Sequence, residues 1–68
     1  MELEKLLLST PKGTMERIKL SRDYIESIIS SYPELNWPRS IVEQTVHKLT
    51  YTETQEGLNE IYNDFIES

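Results

Sequence analysis

The fold depends on residues 14–21, whose sequence is TMERIKLS. In one interpretation, this stretch is the first part of a long helix that runs to Tyr32. In the other, residues 17–20 (RIKL) alternate polar and apolar side chains, which is typical of a short strand. Four residues are too few for periodicity to distinguish the two, so the remainder of the chain has to be considered.

Downstream of this stretch, the sequence predicts two helices separated by a turn. Ser21 is a candidate N-cap for the first helix, and Pro33 ends it because the residue before a proline avoids the helical conformation. The second helix begins near Pro38 or Ser40. The apolar face of the first helix consists of Ile25, Ile28, Ile29 and Tyr32, and that of the second of Ile41, Val42, Thr45, Val46 and Leu49.

The two ends of the chain form separate segments in this interpretation. Residues 1–13 are a short helix or a flexible segment, residues 14–51 form the core, and residues 52–68 form an acidic amphipathic helix. The stripe of the last helix either packs on its own domain or across a dimer, or it binds a protein partner. The residues of this candidate partner-binding stripe are Leu58, Ile61, Tyr62, Phe65 and Ile66.

The composition gives no indication of an enzyme. The chain has no cysteine, one histidine and two glycines, so we expect no disulfide, no metal site, no phosphate-binding loop and no cofactor. Trp37, beside the turn, is either a core plug or a binding anchor. The longest apolar run is residues 6–8, which is far too short for a membrane span, and we expect a cytoplasmic protein without membrane contact.

Charge is distributed unevenly along the chain. The formal net charge is −5, and residues 51–68 alone carry five acidic side chains and no basic one. Four of the seven basic residues lie between Lys12 and Arg22. The overall charge argues against a nucleic-acid partner, whereas the local basic cluster favours one.

Residues 17–49 resemble the ribbon-helix-helix family of small DNA-binding repressors. Residues 17–20 look like the family's strand, with Ile18 and Leu20 pointing inward, and Ser21 looks like the cap before the first helix. Asn36 takes the place of a glycine that is common at the turn between the helices. The pattern at residues 24–28, the polar segment at residues 38–40 and the apolar stripe of the second helix complete the resemblance.

The resemblance implies a homodimer in which two strands form an antiparallel ribbon that enters the major groove of double-stranded DNA. Arg17 and Lys19 would then face the bases, with Met15 at the edge of the ribbon. Arg39 and Ser40, at the start of the second helix, would contact backbone phosphates. Pairing of two chains would also compensate for the small core of a 68-residue chain.

The sequence therefore predicts a mainly α protein: a ribbon-helix-helix dimer with an additional C-terminal helix. The alternative is an all-α bundle of three or four helices. The corresponding functions are a sequence-specific DNA-binding transcriptional regulator and, as the alternative, an acidic all-helical protein-interaction module, such as an inhibitor or adaptor, that does not bind DNA.

Overall fold

The computed structural model describes residues 2–68, which form helices joined by short loops. No strand occurs within residues 2–68. The helices are α1 (Glu2–Ser9), α2 (Met15–Ser31), α3 (Arg39–Thr50) and α4 (Gln55–Glu67).

The ribbon-helix-helix prediction is therefore wrong, and the all-α bundle, its alternative, fits the structure. Residues 14–21 form the N-cap and first turns of α2 rather than a strand. Thr14 is the N-cap: its Oγ1 accepts a hydrogen bond from the Arg17 amide at 3.1 Å, and its carbonyl accepts one from the Ile18 amide at 3.0 Å. The long-helix interpretation of residues 14–32 is the correct one.

The strand interpretation failed because polar residues occupy core positions of α2. Arg17 and Ser21 are both buried, one helical turn apart, and they continue the apolar stripe of the later turns. Ser21 is not a cap: its hydroxyl donates to the Arg17 carbonyl at 2.8 Å within the helix. Ile18, expected to point inward, is exposed, and Leu20 is half-buried.

All four helices contribute to one hydrophobic core. Helix α2 packs against both α1 and α3, and α4 packs against α3. The stripe of the C-terminal helix is part of this core, because two of its residues are buried and the other three pack against the buried cluster. The buried apolar side chains are Leu7, Tyr24, Ile25, Ile28, Val46, Leu49, Leu58 and Phe65.

The loop between α2 and α3 is fixed to the last turns of α4 by Trp37. The Trp37 ring stacks on Phe65 with their centroids 4.4 Å apart, and its indole nitrogen donates to the Phe65 carbonyl at 2.8 Å. Trp37 thus joins the α2–α3 loop to α4, as a core plug does. The left-handed position of the chain is at Gly13 (φ 73°), whereas Asn36, like the other non-glycine residues among those described, has a negative φ.

Arg17 is the most unusual residue of the interior, because its side chain is only 1% exposed. Its guanidinium donates to three backbone carbonyls: Nε to Leu49 at 3.1 Å, Nη1 to Thr10 at 2.8 Å and Nη2 to Thr52. These carbonyls lie at the carboxyl ends of α1 and α3, which carry partial negative charge. Desolvation lowers the pKa of Arg17 from its ordinary value, yet an arginine retains its proton at neutral pH.

We expect Arg17→Ala to lower the free energy of unfolding by about 3 kcal/mol or more, because it removes three hydrogen bonds from a charged donor and leaves the Thr10 and Thr52 carbonyls without that donor. Such a loss is comparable to the whole stability of a domain of this size. Urea denaturation followed by circular dichroism at 222 nm measures it.

Lys19→Ala is the matched control, since Lys19 is an exposed cation on the same helix. It should change the free energy of unfolding by no more than about 0.5 kcal/mol. Equal losses in the two variants would contradict a structural role specific to Arg17.

Candidate binding groove

An open groove of about 510 Å³ runs between α1, α2 and α4. This volume is within the range of roughly 300–1,000 Å³ that is usual for binding sites. Its lining combines aromatic rings with hydroxyl, amide and carboxylate groups, and we call it the tyrosine groove. The lining residues are Glu4, Tyr24, Ser27, Ile28, Ser31, Tyr32, Asn59, Tyr62 and Asn63.

The carboxylate of Glu4 is held in place by two neutral donors. The Tyr24 hydroxyl donates to Oε2 at 2.8 Å, and the Gln55 amide nitrogen donates to Oε1 at 3.0 Å. The same Gln55 nitrogen is 3.0 Å from Asn59 Oδ1, which it also reaches as a donor. Glu4 therefore connects α1 to α2 and to α4, and its charge has no basic partner among the ion pairs of residues 2–68.

Two tyrosines of the groove, Tyr24 and Tyr62, have a raised pKa. Burial, and then the hydrogen bond to Glu4, raise the pKa of Tyr24. The hydroxyls of Tyr32 and Tyr62 lie 3.3 Å apart, and this hydrogen bond raises the pKa of Tyr62. At neutral pH the groove thus presents uncharged phenols together with one carboxylate.

The groove borders the acidic face of α4. Asn59 and Asn63 line it, and the exposed Glu56, Glu60 and Glu67 lie on the solvent side of these asparagines in the helical register. A ligand in the groove therefore approaches an acidic surface. The lining offers hydrogen-bonding groups and ring faces, which suit recognition of another molecule.

The structure separates the residues that the sequence proposed as DNA-contacting. Arg17 is buried, whereas Met15 and Lys19 are exposed on one face of α2, where they line a shallow depression with Ile18 and Arg22. Arg39 and Ser40 are exposed in the first turn of α3. The N-cap of that helix is Pro38, which makes no side-chain capping hydrogen bond.

The proposed partner-binding stripe is largely inside the molecule. Leu58 and Phe65 are buried, and Ile61, Tyr62 and Ile66 are half-buried. Of these residues Tyr62 lines the tyrosine groove.

The sequence did not indicate Glu4 or Asn59 as site residues. It placed Tyr24 in the apolar pattern of its helix, although Tyr24 also lines the groove. No pattern of spacing could have found them, because the groove joins residues from three helices. Glu4 and Tyr24 are 20 positions apart, and Glu4 and Gln55 are 51 apart.

No family model, curated protein or solved structure matches this chain. Within residues 2–68, no group of three or more histidine or acidic side chains is arranged to hold a metal ion. The helices described are also too short and too polar for any of them to cross a membrane.

We expect the free energy of unfolding to fall as the pH rises above about 10, the ordinary tyrosine pKa, because the folded chain holds the Tyr24 proton more tightly than the unfolded chain does. Tyr24→Phe should reduce this alkaline loss. At neutral pH, the same substitution should lower the free energy of unfolding by about 1 kcal/mol through the lost hydrogen bond to Glu4.

Denaturant titrations at pH 8 and at several values above 10 test this expectation. Tyr51→Phe is the control, since the Tyr51 side chain is exposed and lies outside the groove. An alkaline loss that Tyr24→Phe leaves unchanged would contradict the assignment to Tyr24.

Proposed function

We propose that this chain is an acidic, all-helical protein-interaction module that binds a partner protein at the tyrosine groove. The observation that supports this most strongly is the lining of the groove, in which Tyr24, Tyr32 and Tyr62 accompany the carboxylate of Glu4, and this carboxylate forms no ion pair within residues 2–68. Tyrosine is enriched among the residues that contribute most to protein interfaces, since it combines a large ring with a hydrogen-bonding hydroxyl.

The electrostatics favour a basic partner. The chain carries a net charge of −5, and exposed glutamates of α4 border the groove. Such a surface attracts a positively charged partner and increases its rate of association, and the attraction weakens as salt is added.

Fewer observations support the other candidate binding surfaces of the chain. The stripe of α4 is largely occupied by packing within the chain. DNA binding was predicted from a ribbon that residues 2–68 do not form, and the arginine expected to read bases donates to backbone carbonyls instead. DNA binding itself stays an untested prediction, as does the homodimer.

Affinity capture with the purified chain, followed by binding measurements with each captured protein, tests the proposal. Asn63→Arg places a positive side chain in the groove at an exposed helical position. We expect it to weaken binding of the true partner at least about ten-fold, because it adds repulsion to a basic ligand. Gln44→Arg, at an exposed position of α3 outside the groove, should have little effect.

Two results would contradict the proposal. One is a set of captured proteins that bind both variants equally well. The other is a chain that captures no protein but binds duplex DNA at low salt, with an affinity that falls as the salt concentration rises. Circular dichroism of each variant establishes that the comparison is made between folded chains.

A further inference from the structure

We infer that the tyrosine groove receives the guanidinium of a partner's arginine, which pairs with the carboxylate of Glu4. This inference rests on the proposed function, since the arginine is taken to belong to the bound protein.

The carboxylate of Glu4 has capacity for a further donor. A carboxylate offers about four lone-pair sites, and at Glu4 the Tyr24 hydroxyl and the Gln55 amide occupy one on each oxygen. Both donors are neutral, so they orient the carboxylate without compensating its negative charge, and no ion pair within residues 2–68 compensates it either. Because Glu4 is half-buried, its attraction for a cation is less weakened by water than that of an exposed carboxylate.

Within residues 2–68 no basic side chain forms an ion pair with Glu4, although the exposed Lys5 follows it in α1 and Lys19 is exposed on α2. Three other basic side chains are engaged elsewhere. Arg17 is buried against helix ends, Arg22 pairs with Glu43 at 2.8 Å, and Lys12 pairs with Glu53 at 2.8 Å. The groove lining itself contains no basic side chain. The counter-charge for Glu4 is therefore best supplied by another molecule.

The tyrosine rings favour arginine over lysine. A guanidinium is planar and weakly hydrated, stacks on aromatic faces and meets a carboxylate with two parallel N–H donors. Its remaining N–H groups need acceptors, which the hydroxyls of Ser27 and Ser31 and the side-chain oxygens of Asn59 and Asn63 can supply around the same groove.

The test uses the full chain and two short peptides, acetyl-Gly-Arg-Gly-amide and its lysine counterpart, in titrations followed by ¹H–¹⁵N NMR. We expect saturable shifts of the groove residues with the arginine peptide and binding several-fold weaker with the lysine peptide. Glu4→Gln should weaken arginine binding about ten-fold, since it removes the charge of the pair. Glu26→Gln, an equal charge change at an exposed position of α2 outside the groove, should have little effect.

A second variant covers the case in which Glu4→Gln does not fold. Asn59→Lys leaves the Glu4–Tyr24 hydrogen bond in place and adds a competing ammonium at an exposed position of the groove. It should weaken arginine binding to a similar degree as Glu4→Gln. Equal weakening by Glu4→Gln and Glu26→Gln would overturn the inference, because it would indicate general attraction to an acidic chain. Chemical-shift changes confined to residues outside the groove would overturn it too.

Failure of this inference is distinguishable from failure of the proposed function. A captured partner that binds the wild-type chain and Glu4→Gln equally well but fails to bind Asn63→Arg would support the protein-interaction module and overturn the arginine site. If Glu4-dependent binding of the arginine peptide is found and no protein is captured, the guanidinium site is supported and the proposed function fails.

Discussion

The guanidinium of Arg17 joins the carboxyl ends of two helices, and the arrangement of the other elements depends on it. Its three donors point to carbonyls at Thr10, Leu49 and Thr52. The carboxyl end of a helix has carbonyls without intrahelical donors and carries a partial negative charge. A buried guanidinium there donates hydrogen bonds to the carbonyls and is itself stabilised by the partial charge, so it does not require a carboxylate as a partner. A chain of 68 residues has a small core, and this polar interaction determines how α1 and α3 meet α2.

The tyrosine groove follows from the placement of α1. Arg17 fixes its carboxyl end through Thr10, while Glu4 near its amino end is bound by Tyr24 and Gln55. Helix α1 is only eight residues long, too short to be stable alone, so these contacts together with buried Leu7 hold it in place. The groove thus exists because a short helix is fastened at both ends across the other helices.

Periodicity predicted the parts of the fold in which apolar residues alone occupy the core. The later turns of α2, the stripe of α3 and the stripe of α4 all have their apolar faces as expected. It failed at residues 14–21 because Arg17 and Ser21 look like surface residues but are buried. A single sequence cannot distinguish an arginine that binds helix ends from one that faces solvent, since the carbonyls concerned are 32 and 35 residues away for Leu49 and Thr52.

The distribution of charge in three dimensions differs from its distribution along the chain. The basic cluster between Lys12 and Arg22 favoured nucleic acid, but three of its four members interact within the chain. Arg17 is buried, and Lys12 and Arg22 form ion pairs. By contrast, the glutamates of α4 are exposed, and the hydrogen-bond donors to Glu4 within residues 2–68 are neutral. Each ion pair neutralises one acid together with one base, whereas the burial of Arg17 removes a positive charge from the surface. The exposed charge is therefore more acidic than the basic cluster in the sequence implies, and such a surface attracts a basic protein more than a phosphate backbone.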